Sequence, residues 1–152
     1  MSVSIRNSIV IARPCAEVYA YVTQPWRWCE WHEGSKHAQQ PANGELIVGD
    51  EFVEQIELRP FAPLPIRLRR QTRYRVIHAE VARSWAVQGL LRDGWLKIFY
   101  DLEEVPSGTR FTRTLEFGLS GVTRMLGLFL RRHAIAQSAI AINNLRARLE
   151  AS

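Results

Sequence analysis

The sequence predicts an α+β architecture, a single antiparallel sheet with one long helix laid across its concave face. Three observations predict it. Strand-like segments fill residues 51–118 and are broken by turn residues, among them Asp93-Gly94, a strong hairpin signal. A separate alternating segment, 3–12, precedes them. From Gly121 to Glu150 apolar residues recur at helical spacing.

Each element has its own signature. Val3, Ile5, Ile9 and Ile11 alternate with Ser4, Arg6 and Ser8, the pattern of a half-buried strand. Arg13-Pro14 stops it, and Pro14 suits the first turn of a short helix over Cys15–Val22 with Val18, Tyr21 and Val22 apolar. Gln24-Pro25 ends that helix. The aromatic segment WRWCEWHEG then reads as a short helix or ordered loop, and residues 35–50 as a weak strand with turns. Further strands are expected at 51–58, 66–78, 84–92, 95–104 and 109–118. The prolines of the 59–65 segment cannot sit inside a sheet and mark a bend centred near Ala62. In the last helix Val122, Met125, Leu126, Phe129, His133, Ala136 and Ile140 form the expected inner stripe. Leu128, Ile135, Ile142, Leu145 and Leu149 broaden it.

The 152 residues suit one domain, 1–152, and 47% hydrophobic with 23% charged residues is an ordinary globular balance. Two cysteines, Cys15 and Cys29, make neither a disulfide scaffold nor a zinc site and fit a reducing compartment. Met1–Arg13 lacks the features of a signal peptide, and arginines interrupt the apolar C-terminal third, so the expectation is a cytoplasmic protein without membrane insertion. Net charge is +5, carried almost wholly by arginine. A basic chain raises the question of nucleic acid, which charge placement must answer.

Turn positions set the pairing. A two-residue loop at Asp93-Gly94 places Arg92 opposite Trp95, Val87 opposite Tyr100 and Trp85 opposite Leu102. Beyond it, Leu102 pairs with Phe111, Tyr100 with Arg113 and Ile98 with Leu115. Through the proline-rich bend, Ile56 pairs with Leu68, Glu54 with Arg70 and Phe52 with Thr72, with Glu57–Arg67 and Glu51–Arg73 outward. The outward arginines then read as a solvated convex face and not as a phosphate-binding stripe, since aromatics are not interleaved with them. Glu54, Arg70, Tyr74, Tyr100 and Arg113 point inward, with Asn7 of the first strand. A dry core does not hold such groups, because unpaired buried charge is costly. They imply an apolar cavity with a few polar groups, the make-up of a small-molecule site.

The opening SIVIARPCAEVYAYVTQPWRWCEW resembles the start of the START-like helix-grip (SRPBCC) superfamily. Val48-Gly49-Asp50 with Phe52 resembles a strand start of that family, and Gly108-Thr109-Arg110-Phe111-Thr112 its last strand. The polyketide cyclase/dehydrase and lipid-transport branch is the nearest in pattern, over essentially the whole chain. The resemblance implies a curved antiparallel sheet gripping the C-terminal helix around a hydrophobic cavity. Members bind lipids, sterols, polyketides or plant hormones; some cyclise or dehydrate polyketides, and others act in quinone biosynthesis or on ribosomes. The family has no universal catalytic motif, so no catalytic residue carries over.

The cavity candidates are Trp31 from the aromatic segment, Glu54, Arg70, Tyr74 and Trp85 from the sheet, and Tyr100, Arg113 and Phe117 beyond them. Met125, Phe129 and His133 are the candidates on the helix. Trp26 reads as a core plug. The four histidines, His32, His37, His78 and His133, show no HxxxH or HxH spacing, so no metal site is expected. His133 is the candidate general base, with an ordinary pKa near 6.5. Arg113 suits a carboxylate or enolate, and a tyrosine a carbonyl. No GxSxG, P-loop or GxGxxG occurs, which leaves hydrolase, nucleotide-dependent and dehydrogenase readings without support. The expected function is binding of a hydrophobic small molecule, a lipid or polyketide, without a cofactor. The alternatives are a cyclase/dehydratase using His133, Tyr100 or Arg113, and an RNA- or ribosome-associated module acting through the outward arginines. A nucleic-acid partner ranks last.

Overall fold

The computed structural model describes residues 2–59, 61 and 63–152, without the side chains of Val122 and Thr123. The expected bend centre at Ala62, its neighbour Pro60 and the inward place of Val122 lie outside the described residues. The elements follow in the order β1 (Ser2–Ile11), α1 (Cys15–Val22), a 3-10 helix (Pro25–Glu30), β2 (Ser35–Ala38), β3 (Glu51–Leu58), β4 (Leu68–Glu80), β5 (Ser84–Leu91), β6 (Gly94–Val105), β7 (Gly108–Leu119), a second 3-10 helix (Gly121–Leu126) and α2 (Gly127–Ala151). The strands form one seven-stranded sheet in the order β1-β7-β6-β5-β4-β3-β2, each neighbour antiparallel. It is a helix-grip fold, the curled sheet holding α2.

Alternation does what it predicts in β1: Val3, Ile5 and Ile11 are buried while Ser4, Arg6 and Ser8 face out. α1 runs over the expected residues with Val18, Tyr21 and Val22 buried, and Pro14 stands just before its first turn. The Trp28 indole donates to the Val22 carbonyl at 2.8 Å, which folds the first 3-10 helix back onto α1. Its ring meets Phe52, Tyr74 and Trp85 edge-on at 5.8, 5.9 and 6.1 Å. This aromatic knot fills one end of the curled sheet.

Registers divide by turn. β6–β7 pairs as expected: Tyr100 with Arg113, Ile98 with Leu115 and Leu102 with Phe111. The β5–β6 turn is Arg92-Asp93, not Asp93-Gly94, so Trp85 faces Tyr100 and Val87 faces Ile98. Gly94 belongs to the strand for lack of a side chain: a Cβ there would lie 2.1 Å from the Gly118 carbonyl oxygen. β3–β4 shifts as well, pairing Glu54 with Thr72, Ile56 with Arg70 and Phe52 with Tyr74. Outward, Glu57 faces Arg69 and Glu51 faces Arg75, where ion pairs of 3.4 and 3.0 Å form. Both corrections slip the pairing by two residues, which leaves every side chain on its expected face.

The C-terminal helix departs further. Its first turns are 3-10, and α2 begins only at Gly127. The buried face runs through Leu130, Ser138, Ala141, Ile142, Leu145 and Leu149. Met125, Phe129, Ala136 and Ile140 of the expected inner stripe are exposed, as are Leu128 and Ile135. Apolar residues occur all round the first half of the helix, so periodicity there does not settle which face turns in.

Candidate functional site

A cavity of about 140 Å³ lies between the sheet and the first half of α2. Its walls are Trp28, Ile56, Leu58 and Leu68 on one side and Leu96, Ile98, Leu115 and Phe117 on the other, with Leu130 and Ala134 of α2 above. Alternation on β3, β4, β6 and β7 turns these side chains to the concave face.

Polar groups close the inner end. Glu54 is buried in β3; its carboxylate accepts from the Ser35 hydroxyl at 2.5 Å and the Tyr74 hydroxyl at 3.2 Å. Tyr74 reaches it because Gly89 opposite leaves room: a Cβ there would stand 2.8 Å from the tyrosine ring. Burial raises Glu54 from 4.5 to about 7, partly opposed by those two hydrogen bonds and the Arg113 charge. Burial also raises Tyr74 and Tyr100, with Glu54 nearby adding to it and the Arg113 charge opposing it.

Arg113 is 6% exposed. Its guanidinium donates to the Ser138 hydroxyl at 3.2 Å, and its Nε finds no partner among the described residues. No carboxylate lies within ion-pair distance of it among the described residues. The Trp31 indole nitrogen, also cavity-lining, is buried and equally without a partner there. Trp31 is held from behind: its backbone N–H donates to the Trp28 carbonyl at 3.1 Å, and the Asn144 side-chain amide of α2 donates to the Trp31 backbone carbonyl at 3.3 Å. His32 accepts at Nδ1 from the Gly34 N–H at 3.1 Å, leaving Nε2 to carry the proton of the neutral ring. Burial, with the Arg113 and His133 charges nearby, lowers His32 to about 3. The inner end therefore offers donors from arginine, indole, imidazole and phenol around one carboxyl of near-neutral pKa.

The structure places Trp31, Glu54, Arg70, Tyr74, Tyr100, Arg113, Phe117 and His133 on the cavity wall. Arg70 does not meet Glu54, because the β3–β4 register moves it two residues; it pairs with Asp93 at 3.3 Å near the opposite end. His133 accepts at Nε2 from the Arg59 N–H at 3.4 Å, and burial lowers its pKa. Three candidates are corrected. Trp85 is fully buried, stacked on Tyr100 at 5.4 Å, and does not line the cavity. Met125 is 82% exposed, and Phe129 lies outside against Phe61 at 5.2 Å, both through the rotation of the last helix. Ser35, Gln137 and Ser138 are site residues that the sequence pattern passes over. The available signal was a polar pair, Gln137-Ser138, inside a helix whose apolar residues do not make one stripe.

Fold and cavity together define a hydrophobic-ligand-binding fold of the helix-grip type. Residues 2–150 match the family model described as polyketide cyclase / dehydrase and lipid transport, and the chain belongs to that family. No curated protein matches the sequence. Among solved structures, the Zhui aromatase/cyclase of Streptomyces sp. R1128 is similar at TM-score 0.72 and 11% identity, over 99% of this chain and 94% of that one. A protein of Thermus thermophilus is similar at TM-score 0.72 and 11% identity, over 98% of both chains. A polyketide-cyclase-like protein of Corynebacterium glutamicum is similar at TM-score 0.60 and 25% identity, over 99% of this chain and 91% of that one. Among the described residues no helix is long and apolar enough to cross a membrane, and no cluster of ligands for a metal ion occurs.

Proposed function

We propose that the protein binds a hydrophobic small molecule with its oxygen-bearing end at Arg113 and its apolar body between the sheet and α2. The observation that carries this is the buried Arg113 guanidinium, which faces the cavity with an unpartnered Nε and no bonded carboxylate. A buried cation is strongly favoured to meet an anion or several acceptors. A carboxylate, enolate or phenolate oxygen supplies that. The Trp31 indole N–H adds a second donor. An apolar cavity of about 150 Å³ holds a single benzene ring, so a volume of about 140 Å³ encloses one ring of the ligand. A longer molecule extends towards the mouth between β3–β4 and α2. Native mass spectrometry of freshly purified protein, followed by solvent extraction, tests the reading. It predicts a discrete bound mass that is absent from R113M; the same mass on R113M contradicts it.

A second reading, a cofactor-independent cyclase or dehydratase, rests on Glu54. A cavity-facing carboxyl raised to about 7 exchanges protons near neutrality, as a general acid or base must. It displaces His133 as the favoured proton carrier, since Glu54 stands among the donors that would hold a carbonyl. E54Q should abolish turnover of a bound polyketide-like substrate while preserving its binding; unchanged turnover removes this reading.

A further inference from the structure

We propose that the cavity mouth is a docking surface for an anionic lipid bilayer, with apolar side chains entering the interface and arginines meeting the headgroups. Four elements meet at this end. Phe61 of the β3–β4 turn packs on Phe129 of α2 at 5.2 Å. Ser120, after β7, donates from its N–H to the Asp93 carbonyl in the β5–β6 turn at 2.8 Å. Leu58, Leu91, Leu119 and Leu130 line the cavity beside them.

This end also carries large exposed apolar side chains. Met125 is 82% exposed, Leu128 63% and Leu64 57%. Single exposed apolar residues are ordinary, but a group of them around the opening of an apolar cavity is not.

Charge decides the occupant. Residues 58–79 contain no aspartate or glutamate, nor do residues 117–149. Both segments carry exposed arginines at this end: Arg59 in the first and Arg124, Arg131 and Arg132 in the second, while Arg67 is paired with Glu57 at 3.8 Å. The acidic side chain of the β5–β6 turn, Asp93, is paired with Arg70 at 3.3 Å. Glu33 lies near His133 and Glu57 against Arg67, so arginines remain in excess at this end. Apolar side chains with an excess of arginines combine the two attractions that hold a protein in the interface of an anionic membrane. A bilayer also accepts side chains spread over several elements without a fixed shape. A ligand leaving the cavity here would pass from apolar wall to acyl chain without crossing water. The docking is peripheral and stands apart from the identity of the ligand.

Flotation of the full chain with phosphatidylcholine vesicles, with and without a minority of phosphatidylglycerol, tests it. Binding is expected only with phosphatidylglycerol and should weaken as salt is raised. R131Q/R132Q should weaken binding about 25-fold, near five-fold per arginine. M125Q/L128Q should weaken it at least ten-fold. Both variants alter exposed side chains outside the cavity and should keep the wild-type unfolding midpoint. Absence of flotation with anionic vesicles, or flotation that neither variant weakens, overturns the proposal. Retention on immobilised poly-glutamate without flotation would also overturn it, assigning the face to an acidic protein.

Discussion

The two halves of α2 follow opposite rules. Its C-terminal half is an ordinary core helix: Ala141, Ile142, Leu145 and Leu149 are buried, and Arg146 and Arg148 face out. Its N-terminal half turns small and polar side chains inward beside Leu130, namely Ala134, Gln137 and Ser138, and apolar ones outward, Leu128, Phe129 and Ile135. One half maximises burial. The other leaves a cavity beneath it and an apolar face above it. Stability is built in the C-terminal half and given up above the cavity.

Removing side chains from each half should expose that contrast. Leu145 is fully buried, so L145A should destabilise by about 2–5 kcal/mol in urea unfolding. L128Q, on the exposed face of the other half, should stay within about 0.5 kcal/mol of wild type. A large loss in L128Q would mean that the outward apolar face is part of the core after all.

The next effect depends on pH. Glu54 is raised from 4.5 to about 7, so the protonated form is favoured on folding. Its contribution is fully present below about 4.5 and is lost as pH rises through about 7. His32 runs the other way: lowered from 6.5 to about 3, it contributes above 6.5 and loses that contribution as pH falls. E54Q removes only the first limb. Relative to wild type, the variant should gain up to about 3 kcal/mol between pH 4.5 and pH values above 7, as the rise of the Glu54 carboxyl from 4.5 to about 7 requires. A difference between the two proteins that is flat with pH would show that Glu54 titrates normally.

The same ionisation acts on a ligand. An anion held by Arg113 meets a second negative charge once Glu54 ionises, so its affinity should fall as pH rises through about 7. Titrations of wild type and E54Q over that range check this, with the decline expected only in wild type. A smaller effect than that of Glu54 belongs to Ser138. S138A removes one hydrogen bond to Arg113 and should cost about 1 kcal/mol in unfolding experiments.

The legibility of this arrangement in the sequence varied with the kind of signal. The strand alternation told which side chains share a face, and Tyr100 beside Arg113 followed from the inward Phe111 and Leu115. Turn chemistry was less informative. Asp93-Gly94 looks like a hairpin tip, but Gly94 is needed against the Gly118 backbone. The resulting slip moved Arg70 from Glu54 to Asp93 without turning either side chain over. The helix was hardest to read. Leu and Ile on several sides of residues 127–140 conceal the inward face, on which Ser138 meets Arg113 across the cavity. Such a contact spans 25 residues and leaves no local pattern.

The central claim is that Arg113 receives the oxygen-bearing end of a hydrophobic ligand. Titration of wild type and R113M with 2-naphthoate, a two-ring hydrocarbon bearing one carboxylate, tests it most directly. Saturable one-to-one binding to wild type, weakened at least ten-fold in an R113M protein of unchanged fold, is the predicted result. Equal affinity for the two proteins, or no saturable binding to wild type, would contradict it.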